Sequence, residues 1–494
     1  MAQTTIASPQ VLTPAYNPIK YIVDSTNKNK NGFKYIFDIY ESGTANKIGE
    51  YKVLPRINDG YGEEELSKLL QTQVSWDLQT QLTSFYGAPF SYYQYDVKVG
   101  EEFVAEFAYT SSLTNASGNV QINVTNTFQI GDQVVITQAD GGVANPQLEG
   151  LHTVISATGS TVVVNVAWST ITSATIDGVV RYADNRKVIT RDITEFNNRI
   201  VFNAAFRWLD WSVYDYNDYK LNNASALWLT NQPTSDFHCT LGQDLYLNIV
   251  NPKGTDRVIF ENSNGGAFYK AISSADEIVQ VPVGPNNYGI LVGTGDLIDN
   301  NTEWYEFFFA NGATLSQQDS LRYRVYLDRR VLISEYHILF LDRMGSWSSF
   351  AFQLKSYERG DVTRELYNQD VAGFVNGADE WTYNTEEFGF RSMNINVTKS
   401  FDLNTNWMTQ NMATYFEELV TSPQTFLKIV TYVTTEDGIP LIDEDGCPIH
   451  IPESTLYQPC IVNNNSYEVF KQRNKNLIKQ SLSVRLANQD NING

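Results

Sequence analysis

The chain has 494 residues, too many for one hydrophobic core and enough for about two to four domains of roughly 100–200 residues each. Apolar residues make up 42% and aromatics 13%, a supply that fills several β cores and excludes a largely disordered chain. Its 56 acids outnumber its 35 bases for a net charge of −21, and with bases no more than paired, as at Arg329-Arg330, this excludes sequence-specific nucleic-acid binding.

Residues 1–16 are small and polar around Pro9 and Pro14, and an extended N-terminal arm is expected there. A first β domain is expected over 17–112 and 183–230. In FKYIFDIY, Phe33, Tyr35, Phe37 and Ile39 fall on one face of a strand, and Ser42-Gly43 turns it. Leu66, Leu69 and Leu70 then place a short helix over 64–70. Residues 113–182 change texture: poor in charge, rich in Thr, Val, Ser and Asn, and cut by glycines. FQIGDQVVIT, HTVIS, TVVVNVAW and DGVVRY read there as strands of a small β-barrel inserted into the first domain.

Beyond the insertion, Trp208, Trp211, Tyr214, Tyr216 and Tyr219 form an aromatic cluster and are the candidate interface residues. Such rings also serve as sugar-stacking platforms, but no convergent polar set accompanies them in the sequence. LWLTNQP leads into a second β domain, 231–340, with strands in LYLNIV, VIFEN, IVQVPVGP and YEFFFANG. Its last strand alternates Leu321, Tyr323, Val325 and Leu327 with Arg322, Arg324, Tyr326 and Asp328, the pattern of a half-buried strand.

The stretch HILFLDRMGSWSSFAFQLKSY, 337–357, reads as a β-hairpin turned at Asp342-Arg343-Met344-Gly345 with one face inward. A C-terminal β domain follows over 341–487. In it Met408, Met412, Tyr415, Phe416 and Leu419 share one face of a helix over 406–420, capped by Thr405 or Asn404 and stopped by Pro423. TFLKIVTYV, SYEVFK and SLSVRL supply further strands before a tail at 488–494. The expected fold is therefore mainly β, with multi-domain β-sandwich-like modules, an inserted small β-barrel and one C-terminal helix packed on a sheet.

No catalytic constellation stands out. Acids cluster at Glu386-Glu387, at Glu436-Asp437 and at Asp443-Glu444-Asp445, and the last group lacks the remaining ligands of a calcium loop. His152, His238, His337 and His450 are scattered singly, and Cys239, Cys447 and Cys460 fit neither a disulfide framework nor a metal spacing. No cofactor and no metal are expected. No apolar run reaches about 18 residues, so membrane insertion is not expected, and the start lacks the basic and apolar regions of a signal peptide, so the expected place of synthesis is the cytoplasm.

Taken in order, FKYIFDIY with the later GYG and SWDL, LWLTNQP, LFLDRMGSWSSFAF, and the helix ending LVTSPQTFLKIV followed by IVNNNSYEVFK resemble structural proteins of tailed phages of gut Bacteroidetes, including the crAss-like group. The resemblance spans most of the chain outside the insertion. It implies a virion component of the tail, neck or collar, a ring-type homo-oligomer around the tail axis that docks neighbouring tail proteins, made in the host cytoplasm and without an active site. Two other classes fit the residues. A receptor- or glycan-binding adsorption or fibre protein would expose aromatics in a shallow groove, and a carbohydrate-active enzyme would hold two carboxylates about 5–10 Å apart across a cleft.

Overall fold

The computed structural model describes residues 3–78, 83–110, 113–251, 256–311, 317–329, 334–369, 389–436, 439, 441–443, 449, 457–464, 478–488 and 490–493. The fold is mainly β, in sandwich-like layers, and it clusters into two compact units. One holds residues 1–13, 18–70 and 94–201; the other holds 14–17, 71–93 and 202–494.

In the first unit a five-stranded sheet runs in the order Leu12–Pro14, Lys187–Phe202, Tyr92–Val104, Lys34–Glu41, Lys47–Val53. Tyr35, Phe37 and Ile39 are buried, as their alternation requires, and Asp38 on the opposite face is buried as well. Its carboxylate is tolerated there because Lys47, at 2.7 Å, and Arg191 both reach it. Buried Glu102 is treated alike: hydrogen bonds from Lys187 and Lys52 hold its carboxyl below the ordinary range.

The residues read as an arm begin with an edge strand, Gln3–Ala7, antiparallel to Lys20–Ser25. The polar side chains that disqualify this segment as core leave its backbone free to pair, and Gln3 Nε2 donates to the Gly100 carbonyl at 3.1 Å. The helix expected over 64–70 is shortened to Ser67–Gln71. Gly62–Glu65 is drawn into a strand on Lys20–Val23 instead, and the Glu65 carboxylate accepts from the Ile19 and Ser67 amides, both at 3.0 Å.

The insertion is a seven-stranded antiparallel sheet curled into a half-barrel around its own core of Val120, Ile122, Val134, Ile136, Val162, Val164 and Val180, among others. Its corner is the strand Gly150–Thr158, which pairs with Gln133–Gln138 through its first half and with Thr161–Ala167 through its second. A register shift between Val154 and Ser156 lets one strand turn from one partner to the other. The module starts earlier than its composition shows, since Glu106–Tyr109 is its end strand, paired with Gly178–Tyr182.

In the second unit a five-stranded sheet (Phe237–Thr240, Tyr323–Asp328, Trp304–Asn311, Asp256–Asn262, Ala267–Ala271) faces an eleven-stranded one. Phe260, Phe307 and Tyr323 of the first meet Ile249, Val281, Ile338, Phe340, Phe350, Leu427 and Val484 of the second in one core. Residues 231–340 and 341–487, read from the sequence as two domains, thus share a single core. The reason lies in the hairpin: Ser334–Leu341 pairs on one side with Trp347–Phe352 and on the other with Thr425–Thr431.

That hairpin is buried on both faces, where the sequence suggests one. Ile338, Phe340 and Phe350 enter the main core, while Leu339, Leu341 and Trp347 form a second cluster with Tyr246 and Leu78. Residues 76–78 supply the cover: Trp76 meets Trp347 edge-on at 5.9 Å, and the Trp347 indole donates to the Asp77 carbonyl at 2.9 Å. The helix, Gln410–Val420, starts later than expected, with Thr409 as its cap accepting from the Met412 amide. Met408 is held extended by its pairing with Ile478, which prevents an earlier start from Asn404 or Thr405. SYEVFK lies outside the described residues, and part of the expected tail, Asp490–Asn493, is a strand on Asn394–Val397.

Candidate interface: the aromatic loop and its polar backing

Between the strand ending at Phe202 and the segment at Trp228 the chain makes a helical turn, Trp208–Trp211, and a 3-10 turn, Tyr216–Tyr219. The second begins where the Asp215 carboxylate accepts from the Asn217 amide at 2.9 Å, a local cap that needs no tertiary support. These turns gather the rings predicted from the sequence. Trp211 and Tyr214 stack with centroids 5.4 Å apart and planes 24° apart, Tyr214 lies 5.7 Å from Tyr219, and Phe206 packs edge-on against Tyr214 at 5.0 Å. Burial pushes the Tyr214 and Tyr219 phenols well above the usual range, so both stay neutral. Tyr216 lies outside that stack, under the Lys220 ammonium at 4.7 Å.

Trp208 does not join the stack either: it is 74% exposed, and Leu209 and Val213 beside it are 79% and 76% exposed. The loop is therefore a base of packed rings carrying an apolar tip. Leu209 and Val213 were not singled out from the sequence, because isolated apolar residues default to the interior. Their signal is that they fall in a short turn with no periodic partner to bury them.

Behind the loop lies a dense set of charged groups. Arg207 reaches Glu417 at 3.1 Å and Glu418 at 3.3 Å, and the buried Glu418 carboxylate also accepts from the Arg343 amide at 3.0 Å. Asp342, in the hairpin turn, is buried and accepts at one oxygen from the Thr230 hydroxyl (2.8 Å) and the Asn231 amide (3.3 Å), and at the other from the Met344 (3.0 Å) and Ser346 (2.9 Å) amides. Burial and the neighbouring Glu418 charge nevertheless push its carboxyl up to about 7. Gly345 closes this turn at φ +87°, with the Asn203 carbonyl 2.6 Å from where a Cβ would stand. Two cavities of about 400 and 250 Å³ flank Arg207.

This arrangement fixes shape. Asp342 accepts from four donors and Glu418 is engaged by Arg207 and Arg343, which ties the hairpin turn and the helix to the segment at Arg207. His337 is buried, with its Nε2 2.9 Å from Glu335 and 3.2 Å from the Thr240 hydroxyl. His238 stacks on Tyr326 at 5.1 Å, and His152 Nε2 sits 3.0 Å from the Leu148 carbonyl. Cys239 and Cys460 are buried free thiols, the latter pushed up to about 11 by burial. Among the described residues no three His, Cys, Asp or Glu side chains converge as metal ligands, and no helix is long and apolar enough to cross a membrane. Glu386-Glu387, Asp437, Glu444-Asp445, Cys447 and His450 lie outside the described residues. No protein-family model matches the chain, and no curated protein is significantly similar to it.

Proposed function

We propose that this chain is a structural protein of a tailed-phage virion, part of the tail, neck or collar, in which copies close a ring around the tail axis and dock neighbouring tail proteins. The observation that carries this reading is the tip of Trp208, Leu209 and Val213, three large apolar side chains at least 74% exposed on a base of packed rings. Large apolar side chains exposed close together on an aromatic base are a common form of contact surface. A contact between unlike patches, repeated by a rotation that closes, makes a ring. The charge of −21 on each copy opposes assembly, but charges more than about 8 Å apart are largely screened at physiological salt. The ordered series of motifs that resembles phage structural proteins points the same way. Antibody labelling of purified particles tests the placement: label at the tail or neck is expected, and label on the capsid shell or at fibre tips would sink it.

One observation favours the glycan-binding adsorption reading. Trp407 is 55% exposed and lines a cavity of about 210 Å³ together with Gln353, with the Lys479 ammonium 4.4 Å from its ring centroid. An indole partly open beside a cavity is a surface on which a sugar ring can stack. Titration of intrinsic fluorescence with host surface oligosaccharides separates the two readings: saturable quenching that Trp407→Ala abolishes would bring the adsorption reading to the front.

A further inference from the structure

Three adjacent strands of the second unit set one lysine among polar neighbours. Lys428 on Thr425–Thr431 stands opposite His337 of Ser334–Leu341 on one side and opposite Tyr457 of Tyr457–Val462 on the other. The Lys428 and Asp244 side chains are 3% and 5% exposed, and Lys428 Nζ lies 2.8 Å from Asp244 Oδ2. A second hydrogen bond, from Nζ to the Gly242 carbonyl at 3.3 Å, holds the ammonium in place. The Tyr457 hydroxyl donates to the same Oδ2, and the Asn286 amide donates to Oδ1 at 2.8 Å. Two proton donors thus converge on one carboxylate oxygen, and a neutral amide holds the other.

An amine and a carboxyl in hydrogen-bond contact are also the two halves of an amide. In water their condensation is held back by the low concentration of one group at the other and by the hydration of both charges. The fold removes both obstacles. Fixed positioning is worth an effective concentration of about 10⁵–10⁸ M, and condensation eliminates two charges that a buried site solvates poorly. The donors sit where the reaction needs them. Asn286 is placed to stabilise the negative charge that develops on Oδ1 as the tetrahedral adduct forms, and Tyr457 is placed to pass a proton to Oδ2 as it leaves. Gly242 and Asn286 also line a cavity of about 580 Å³, which gives a released water a way out.

We infer that Lys428 and Asp244 condense into an isopeptide bond that staples the strand Thr425–Thr431 to the loop before Tyr246–Val250. The reactant is the ion pair of the newly folded chain, and the amide accumulates from it. A proton passes from Nζ to Oδ2, the freed amine lone pair attacks Cγ, and the C–Oδ2 bond breaks as the C–Nζ bond is made. Two of the three ammonium protons leave with Oδ2 as water and the third stays on the amide nitrogen, so no co-reactant is consumed. Oδ1 becomes the amide carbonyl oxygen, still held by Asn286. The bond joins residues 184 apart in sequence, in a fold whose described cysteines, Cys239 and Cys460, are free. The inference stands apart from the virion reading, since it concerns the chemistry of one buried pair.

The test is the intact mass of the purified full-length chain, measured in denaturant at intervals after folding. Loss of the mass of one water is expected to build up with time, together with a branched tryptic peptide that joins the segment of Lys428 to that of Asp244. Lys428→Arg and Asp244→Ala should each keep the full mass. Because either change also disturbs the ion pair, Asn286→Ala and Tyr457→Phe supply variants that retain both reacting groups. Each should form the bond about a hundredfold more slowly, the usual loss on removing one such donor. Full mass at every interval, with trypsin cutting normally after Lys428, would overturn the inference and leave the pair a salt bridge. A lost water that persists in Lys428→Arg would place the dehydration elsewhere and overturn it equally.

Discussion

Lys428 Nζ stands 2.8 Å from the Asp244 carboxylate with both side chains almost fully buried. The Tyr457 hydroxyl donates to the same carboxylate oxygen, and the Asn286 amide donates to the other at 2.8 Å. Burial, reinforced by the Asp244 charge, keeps the Tyr457 phenol neutral at any physiological pH. The pair ties the strand Thr425–Thr431 to the loop before Tyr246–Val250.

Removing one partner leaves the other charge buried and uncompensated. Lys428→Met is therefore expected to cost ~3–5 kcal/mol, read as a fall in the urea midpoint at constant slope. Adding Asp244→Asn should restore most of that loss. A double variant as unstable as the single one would show that the ion pair is not the cause.

Asp342 makes stability depend on pH in a defined direction. Its carboxyl titrates near 7 in the folded chain against 3.8 when unfolded, so between those values the folded state holds a proton that the unfolded state has shed. The stabilisation is complete below the unfolded value and is lost as pH rises through the folded one, with a slope of at most about 1.4 kcal/mol per pH unit from this group. Asp342→Asn should be less stable by ~1–3 kcal/mol, since its amide group cannot accept at both positions, and should lack this slope. Denaturation series from pH 4 to 8 on both proteins check it; parallel curves would contradict the assignment.

The half-barrel is expected to be dispensable for folding of the rest. The Ala105 amide donates to the Arg186 carbonyl at 2.8 Å, so the two ends of the module are adjacent, and its core is its own. Replacing residues 106–185 by a short Gly/Ser linker should leave one cooperative unfolding transition for the remainder. Aggregation, or loss of cooperativity, would show that the module is structurally required.

Substituting Trp208, Leu209 and Val213 together by Ser should leave stability within ~0.5 kcal/mol per site, as expected for exposed positions, while assembly into particles fails. Calorimetry on the purified chain and incorporation into virions measure the two effects. A large loss of stability would place the tip in the fold; normal incorporation would remove it from the interface.

The strands with one buried face were legible: Tyr323 and Val325 are buried and Arg324 between them is half-buried. Strands buried on both faces were not, because Ser348 and Ser349 in Trp347–Phe352 look like solvent positions. Ser349 is a core position because a partner far along the chain satisfies it: its Oγ donates to the Asp244 carbonyl 105 residues away. The aromatic loop was found from its rings alone. Its polar backing was not, since Thr230 and Asp342 meet across 112 residues and no local spacing announces them. The helix start was misplaced for the same reason: a bridge from Met408 to Ile478 outranks the local capping signal at Thr405.

The most direct measurement of the central claim is a three-dimensional reconstruction of the particle with this protein's density assigned. The account predicts several copies related by rotation about the tail axis, with the Trp208 tip buried against a neighbouring subunit or tail protein. A single copy, or copies scattered away from that axis, would contradict it.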